Sequence, residues 1–114
     1  MLSGHYGDIE AVPQTKAGTQ KTVMRTLIGK TENAPVFSMR VLTIEPGGLI
    51  GMHDHPWEHE IFVISGSGMA LTETRKVEMR PGDFFFIPAS EVHGFDNVGD
   101  EPLEFVCCIP LKWE

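Results

Sequence analysis

The stretch PGGLIGMHDHPWEHEIFVISG, residues 46–66, holds three histidines at short spacing, His53, His55 and His59. His53 and His55 are two residues apart, so both side chains project from the same face of an extended strand. Pro56 cannot donate to a strand ladder, so we expect the chain to turn there and to present His59 from the start of the next strand. Imidazole is the commonest protein ligand for first-row divalent metals. This stretch therefore predicts part of a metal site on two consecutive strands.

A fourth histidine, His93, lies in the later stretch PGDFFFIPASEVHGFDN, residues 81–97. To meet the first three it must be brought back to them by a closed fold, which a small β-barrel provides. Ligation by any of these rings requires the neutral form of imidazole. The fifth histidine, His5, lies near the N-terminus, and we expect it to take no part in the site.

Short runs rich in Val, Ile, Phe, Leu and Thr alternate with Gly- and Pro-containing turn signals along most of the chain. None of these runs sustains a helical apolar period over the roughly eleven residues that a helix requires. Many short strands with turns at this spacing are typical of an all-β sandwich or barrel. We expect one barrel domain over residues 21–114, preceded by residues 1–20 as an N-terminal arm suited to packing on a neighbouring subunit. The expected strands are Lys21–Ile28, Val36–Ile44, Glu60–Ser65, Met69–Thr74, Asp83–Ile87 and Glu104–Ile109.

The two histidine-bearing stretches resemble the two sequence motifs of the cupin family. The matching positions are Gly47, His53 and His55 in the first motif and Gly82, Pro88, His93 and Asn97 in the second. Ser90 stands where the family pattern usually has glycine. The resemblance implies a double-stranded β-helix, also called a jelly-roll barrel, in a single domain. It is closest to small bacterial cupins whose first motif reads HxHPWEHE.

In the family, the third ligand is usually a glutamate six residues before a glycine, and the candidates for that place are His59 and Glu60. Six residues separate His59 from Gly66, whereas five separate Glu60 from it. Strand alternation sends these neighbours to opposite faces, so only one of them can point inward. We expect a site of four histidines, which Glu60 tunes without binding the metal. The alternative keeps Glu60 as a ligand and leaves His59 on the surface.

Four neutral ligands leave a divalent ion its full charge, which strengthens its Lewis acidity, and they leave part of an octahedral coordination shell open. Mn(II) or Fe(II) fits this arrangement best, while copper, nickel and zinc also bind imidazole. The resemblance implies an enzyme, and the first hypothesis is an oxidoreductase that uses dioxygen or peroxide on a small organic substrate. The alternatives are a non-redox isomerase, cyclase or lyase, and a module that binds a small ligand without catalysis.

Apolar residues that alternate along the strands are expected to form a small cavity beside the metal. Trp57, which lies between two ligands, is expected to pack the loop or to gate the cavity. Cys107 and Cys108 are adjacent, so they point to opposite faces and are expected to remain reduced. The expected cavity-lining residues are Phe37, Met39, Val41, Ile61, Val63, Phe95 and Cys107.

The chain of 114 residues has a formal net charge of −7 and no basic cluster, which argues against nucleic acid and anionic membranes as partners. No apolar run has the length of a membrane span. The N-terminus lacks the basic and then apolar pattern of a signal peptide. We therefore expect a cytoplasmic protein that acts on a small molecule.

Two of the expected strands are apolar on both faces. Asp83–Ile87 has no polar side. In Glu60–Ser65, Phe62 and Ile64 lie on the face opposite Ile61 and Val63. A small barrel normally leaves one face of its sheet to water, so we expect a second sheet to cover these strands. We predict a homodimer packed sheet to sheet; the alternative cover is the N-terminal arm of the same chain.

Overall fold

The computed structural model describes residues 1–114 and contains nine β-strands, four short 3₁₀ turns and no α-helix. The strands are β1 (Val12–Pro13), β2 (Gln20–Ile28), β3 (Phe37–His53), β4 (His59–Ser65), β5 (Gly68–Thr72), β6 (Lys76–Met79), β7 (Phe84–Ile87), β8 (His93–Asp96) and β9 (Leu103–Pro110). The 3₁₀ turns are Tyr6–Asp8, Lys16–Gly18, Lys30–Glu32 and Leu111–Trp113. The predicted all-β fold is confirmed. None of the helical segments is long and apolar enough to cross a membrane.

One antiparallel sheet contains all nine strands and curls into the jelly-roll barrel that the resemblance implied. Its main path runs β6-β5-β8-β3-β9-β4-β7, with β2 beside β3 and β1 beside β2. The two halves of β3 pair with different strands, residues 37–44 with β9 and residues 49–53 with β8. The long strand β3 therefore connects the two parts of the barrel wall.

The segment PGG, residues 46–48, bends β3 without ending it. The sequence predicts a turn here, whereas in the structure the strand continues through the segment as far as His53. Gly47 has a φ of +80°, which is strained for a residue with a side chain. A Cβ at Gly48 would lie 2.8 Å from the carbonyl oxygen of Gln20. The two glycines thus allow a sharp bend with strand pairing on both sides of it.

The barrel interior is an apolar core that follows the two-residue alternation of the strands. In β4, Ile61 and Val63 are 3% and 0% exposed, while Phe62 and Ile64 are 53% and 41% exposed. β9 alternates in the same way between buried and partly buried residues. Residues of this core that are at most 3% exposed include Ile44, Met79, Phe95, Leu103, Phe105, Cys107 and Ile109.

The buried side chain of Asn97 joins three backbone segments just after β8. Its Nδ2 donates to the carbonyls of Ile44 and Glu101, both at 2.8 Å, and its Oδ1 accepts from the N–H of Gly99 at 2.9 Å. Backbone hydrogen bonds also connect Asn97 to the glycine pair of the bend in β3. This network holds the bend against the end of β8 and so fixes the two strands relative to each other.

The first half of β3 turns the opposite face inward from the one predicted. Phe37 and Met39 are 71% and 37% exposed, whereas Ser38 is fully buried and Arg40 lines the interior. The prediction that Phe37 and Met39 line the cavity is therefore wrong. The polar residues can point inward because they have partners there: Ser38 Oγ donates to Glu114 Oε1 at 2.6 Å, and sulfur atoms hold Arg40.

The six strands expected from the sequence correspond to β2, the first half of β3, β4, β5, β7 and β9. The strands that were not expected, β1, β6 and β8, contain two to four residues each. A run this short shows at most two alternations, so its periodicity carries no signal. These strands form because longer neighbours provide partners for their backbone groups.

Residues 1–20 fold back along their own barrel. β1 pairs with β2, with Val12 opposite Met24, and the hydroxyl of Tyr6 donates to Glu104 Oε1 at 3.0 Å. The arm does not cover the outer face of β4 and β7, where Phe62 and Phe86 remain 53% and 58% exposed. The alternative in which this arm covers the apolar strands is therefore wrong. Packing of the arm on a neighbouring subunit remains a prediction.

Candidate metal centre

Four histidine side chains converge at one end of the barrel interior. His53 ends β3 and lies opposite His93, which begins β8. His59 begins β4, and His55 lies in the loop between β3 and β4. One ring nitrogen of each lies within 4.8 Å of the others. The structure thus brings together the four residues that the sequence predicted as ligands, and no carboxylate or thiol belongs to this group.

Backbone carbonyls orient three of the four rings. The pairs, as Nδ1 to carbonyl oxygen, are His53 to Gly51 at 2.7 Å, His55 to Trp57 at 2.8 Å and His93 to Glu91 at 2.7 Å. A carbonyl oxygen can only accept, so the proton of each neutral ring is on Nδ1, and Nε2 keeps a free lone pair. This is the tautomer that binds a metal through Nε2, with the carbonyl fixing the orientation of the ring.

His59 is the one ring of the four whose Nδ1 contacts a side chain. Its Nδ1 lies 2.8 Å from the Sγ of Cys107, and a thiol can either donate or accept. Its Nε2 lies 2.7 Å from Nε2 of His55. Because Nε2 of His55 carries no proton, either His59 donates to it or both lone pairs face a shared cation. With a metal bound, Nδ1–H of His59 would donate to the sulfur of Cys107.

Burial keeps three of these rings neutral. Burial, with a smaller contribution from the neighbouring imidazoles, lowers the pKa of His59 to about 2. It also lowers the pKa of His93 to about 4. For His55, burial lowers the pKa more strongly than the hydrogen bond to the Trp57 carbonyl raises it. Only neutral imidazole can bind a metal, so these lowered pKa values favour binding at neutral pH.

The donor set fits a divalent transition metal. Nε2 of His93 is buried and has no hydrogen-bond partner in the protein. A buried polar atom without a partner destabilises a fold, and such atoms are rare. Imidazole nitrogens suit first-row transition metals, whereas Mg²⁺ and Ca²⁺ prefer oxygen ligands. A transition metal bound by the four Nε2 atoms would satisfy the nitrogen that the protein leaves unpaired.

Glu60 lies on the outer face of the barrel, away from the histidines. It is exposed, whereas the adjacent His59 is 8% exposed. In the sheet it lies opposite Phe86 of β7 and Cys108 of β9. The alternative in which Glu60 is the third ligand is therefore wrong, and so is its expected role in tuning the site. Burial raises the pKa of Cys108, and the carboxylate of Glu60 raises it by a smaller amount.

A cavity of about 450 Å³ opens beside the histidines, a size typical of small-molecule sites. Three of the expected lining residues, Ile61, Phe95 and Cys107, line it. Val63 is 0% exposed and belongs to the core, whereas Val41 is 2% exposed on the face of β3 opposite Arg40 and Leu42, and neither lines the cavity. The expected wall is therefore correct for Ile61, Phe95 and Cys107 and incorrect for Val63 and for the first half of β3.

Sequence reasoning missed cavity residues from several parts of the chain. Gln14 and Lys16 come from the N-terminal arm and Trp113 from the last 3₁₀ turn, where no periodic pattern marks an inward face. Arg40 and Leu42 come from β3. Leu42 could have been found by counting the alternation back from the second half of the apolar run. Arg40 could not, because a charged residue is normally assigned to the solvent face.

Trp57 packs the loop that carries His55. The two rings stack with their centroids 4.1 Å apart and their planes at 8°. Trp57 also stacks with Trp113, at 5.2 Å and 22°. Its indole Nε1 is buried and has no hydrogen-bond partner. These contacts fit the expected packing role, because they fix the loop between two of the ligands.

The chain is similar to proteins of known fold over nearly its whole length. A family model described as "Cupin domain" matches residues 40–109. The polyketide cyclase RemF from Streptomyces resistomycificus superimposes with a TM-score of 0.91 at 32% identity, covering 97% of this chain and 80% of that chain. A structure described as a predicted oxalate decarboxylase from Thermotoga maritima gives a TM-score of 0.84 at 24% identity, over 96% and 99% of the two chains.

Sequence similarity extends to two proteins whose names refer to oxalate. The oxalate-binding protein of Thermotoga maritima is 28% identical over 106 residues, which are 90% of this chain and 86% of that protein. The oxalate decarboxylase OxdC of Bacillus subtilis is 33% identical over 72 residues, which are 58% of this chain and 19% of that enzyme. The first similarity covers most of both proteins, whereas the second covers one part of a much longer one.

Proposed function

This chain belongs to the cupin domain family. From that premise we propose that it is a metal-dependent enzyme that acts on a small oxygen-bearing substrate. The proposed reaction involves no net redox change, as in a cyclase, isomerase or lyase. The observation that carries the proposal is the convergence of four imidazoles, with no carboxylate, beside a cavity of about 450 Å³. Four neutral ligands leave a bound divalent ion its full charge, so that it can polarise a substrate oxygen as a Lewis acid.

The residues of the chain have separate tasks in this proposal. The histidines bind the ion through Nε2, and the groups bonded to Nδ1 hold each ring in the required tautomer. Ile61, Phe95 and Phe105 line the cavity with apolar surface, which limits water and strengthens electrostatic interactions beside the ion. Trp57 keeps His55 in place by stacking on it.

Similarity to known proteins supports a reaction without net redox change. The similarity to a polyketide cyclase extends over 97% of this chain at 32% identity. The similarity to an oxalate-binding protein supports a small, oxygen-rich ligand. Both kinds of molecule present oxygen atoms that a Lewis-acidic ion can polarise.

An oxidoreductase that uses dioxygen or peroxide is the second candidate, because imidazole also binds redox-active Mn(II) and Fe(II). Oxalate and a linear polyketide are suitable first substrates, assayed with and without dioxygen and peroxide. Full turnover of the zinc-loaded protein under anaerobic conditions supports the non-redox proposal. Turnover that requires both an oxidant and a redox-active metal supports the second candidate. Binding without turnover supports a non-catalytic small-ligand module.

Elemental analysis of untagged protein tests the metal centre directly. We expect a single divalent transition metal per chain, with manganese or iron preferred over copper, nickel and zinc. Alanine at any one of positions 53, 55, 59 or 93 is expected to lower the bound metal. His5→Ala is the matched control, because His5 is exposed and does not belong to the cluster. Unchanged metal content in all four cluster variants would contradict the proposal.

We also propose that two copies of the chain associate through the outer face of β4 and β7. Phe62 and Phe84 lie opposite each other there and are 53% and 81% exposed. Monomeric proteins rarely leave contiguous apolar surface of this kind to water, and a symmetric dimer places the same face on both subunits. Light scattering is expected to give twice 12.7 kDa. Phe62→Glu should yield monomers, whereas Val98→Glu, at a position 71% exposed elsewhere, should not.

We propose a cytoplasmic location and no nucleic-acid or membrane partner. The net charge of −7 opposes binding to polyanions. Both cysteines are free thiols, which fits a reducing compartment. A fractionation experiment that finds the protein outside the cytoplasm would contradict this assignment.

A further inference from the structure

The cavity contains a guanidinium group that has no carboxylate partner. Arg40 lines the cavity beside the histidines. The one salt bridge of the structure joins Arg80 to Glu78 on the surface. Asp54 is the only acidic residue among those that line the cavity, and it is exposed and forms no salt bridge with Arg40. The guanidinium keeps its charge at any physiological pH, so the protein leaves a positive charge in the cavity wall uncompensated.

The contacts that Arg40 does make are with uncharged acceptors, two sulfur atoms and one carbonyl oxygen at the long distance of 3.5 Å. Nη2 donates to the Sγ of Cys107 at 3.1 Å, Nη1 to the Sδ of Met24 at 3.4 Å, and Nε to the carbonyl oxygen of Cys107 at 3.5 Å. A guanidinium has five N–H groups, so two of them have no acceptor in the protein. Thioether and thiol sulfur are weak acceptors and carry no charge. These contacts position the guanidinium without neutralising it.

The charge of Arg40 acts on the side chain of Glu114, but that carboxylate is bonded to other groups. Glu114 has its pKa lowered chiefly by the hydrogen bond from Ser38 and only slightly by the charge of Arg40. Its Oε1 accepts from Ser38 Oγ at 2.6 Å and its Oε2 from the backbone N–H of Lys30 at 3.0 Å. Both carboxylate oxygens are therefore engaged with other partners, and no hydrogen bond joins Glu114 to Arg40.

A second donor without a partner lies in the same cavity wall. The indole Nε1 of Trp57 is buried and unpaired, and Trp57 lines the cavity. The only other buried side-chain nitrogen or oxygen without a partner is Nε2 of His93, which a metal would satisfy. A metal cation cannot accept a hydrogen bond, so a bound metal would leave the indole N–H of Trp57 without a partner. The positive charge and the free N–H groups of Arg40 in the cavity wall are the arrangement that recognises an oxyanion.

We propose that the substrate is a small organic carboxylate and that Arg40 binds its carboxylate group. This inference rests on the proposed function for the use made of the bound molecule, but the binding of the carboxylate requires only Arg40 and the cavity. Arginine suits the task because its planar fork can donate two parallel hydrogen bonds to one carboxylate. The apolar wall formed by Leu42, Ile61 and Phe95 accommodates the rest of the molecule.

Benzoate and benzamide make a matched pair of probes, because they have the same size and differ in the charge of one group. Isothermal titration calorimetry with chelator-treated protein measures binding in the absence of metal, so that metal coordination contributes nothing. We expect wild-type protein to bind benzoate at least about tenfold more tightly than benzamide, since hydrogen bonds to charged groups are the stronger ones. This comparison requires no variant and so does not depend on how a variant folds.

Arg40→Gln is expected to weaken benzoate binding about 10- to 100-fold and to leave benzamide binding nearly unchanged. Arg75→Gln is the matched control, because it makes the same substitution at an exposed position outside the cavity. Arg40→Lys keeps the charge on a shorter reach and is expected to fall between wild type and Arg40→Gln. A merely structural role for Arg40 would weaken both probes together.

Equal binding of the two probes by wild-type protein, or no benzoate binding at millimolar concentration, would overturn the inference. Lys16 is another cationic residue that lines the cavity. A loss of benzoate binding in Lys16→Gln but not in Arg40→Gln would therefore overturn it as well. Metal content of the same preparations separates this outcome from failure of the proposed function. If the metal content is normal and Arg40→Gln leaves benzoate binding unchanged, only the proposed carboxylate site is overturned. Arg40-dependent binding of benzoate by a protein that never acquires metal overturns only the proposed metal enzyme.

Discussion

The metal-free protein is expected to lose stability as the pH falls from about 7 to about 5, because two buried histidines resist protonation. Burial lowers the pKa of His93 to about 4 and that of His59 to about 2, from the ordinary value of 6.5 that both take in the unfolded chain. Below pH 6.5 the unfolded chain binds protons that the folded chain does not, so unfolding becomes more favourable. The stability contributed by the neutral rings is therefore full above pH 6.5 and is lost on acidification toward the folded pKa values.

Each pH unit between the folded and unfolded pKa values changes the free energy of unfolding by about 1.4 kcal/mol for each ring. From about pH 6.5 to about pH 5 the loss is about 2 kcal/mol for one ring and about 4 kcal/mol for both. Solvent screens little of this, because His93 and His59 are 1% and 8% exposed. The lowered pKa of His55 acts in the same direction. Most carboxylates titrate below this range, so the histidines dominate the change.

Urea unfolding of chelator-treated protein, followed by tryptophan fluorescence at one fixed protein concentration, measures this loss. His93→Gln is expected to remove about 2 kcal/mol of the pH-dependent part. His5→Gln, a change at an exposed imidazole outside the cluster, is expected to leave the pH-dependent part as in wild type. Free energies of unfolding at about pH 7 and about pH 5 that agree within about 0.5 kcal/mol would refute the reasoning. The rings would then not be buried in the neutral form.

Three further predictions concern the metal and the fold. Cys107→Ala removes the thiol that contacts Nδ1 of His59 and is expected to weaken metal binding about tenfold. Cys108→Ala changes a residue on the other face of the same strand and is expected to leave metal binding unchanged. Equal metal affinities of the two variants would contradict a role for the contact between Cys107 and His59. Asn97→Ala leaves the carbonyl of Ile44 without its side-chain donor and is expected to lower the free energy of unfolding by about 2–4 kcal/mol, measured by urea unfolding; a loss below about 1 kcal/mol would show that the network is redundant. Metal affinity is expected to fall steeply as the pH approaches about 4, the pKa of His93, because protonated imidazole cannot bind. An affinity that is unchanged between about pH 6 and about pH 4 would contradict ligation by His93.

The longer strands and the candidate ligands could be predicted from the sequence. Alternation of apolar residues marked β4 and β9. The expected placement of His53 and His55 on one strand is wrong, because β3 ends at His53 and His55 lies in the loop that follows. The choice of His59 over Glu60 also followed from counting positions, since neighbours on a strand cannot share a face. The position of His93 beside them required a closed fold, which the turn spacing indicated. The inferences from strand alternation succeeded because they depend on geometry within a few residues.

The inward face of β3 and the content of the cavity could not be predicted in the same way. Apolar Phe37 and Met39 point outward, and polar Ser38 and Arg40 point inward, because the inward pair finds partners in distant segments. Ser38 meets the last residue of the chain, and Arg40 meets a thiol that lies opposite it on β9. No local pattern records a partner that is more than sixty residues away.

By itself the sequence determined the all-β class, the single barrel and the four imidazoles, because strand period and ligand chemistry are properties of neighbouring residues. Only the tertiary structure decided what surrounds those imidazoles. It placed Cys107 against His59, left Arg40 without a counterion, and brought Trp113 against Trp57. Such contacts depend on the pairing register of distant strands and on how the ends of the chain pack, and both result from burial and hydrogen bonding across the whole barrel.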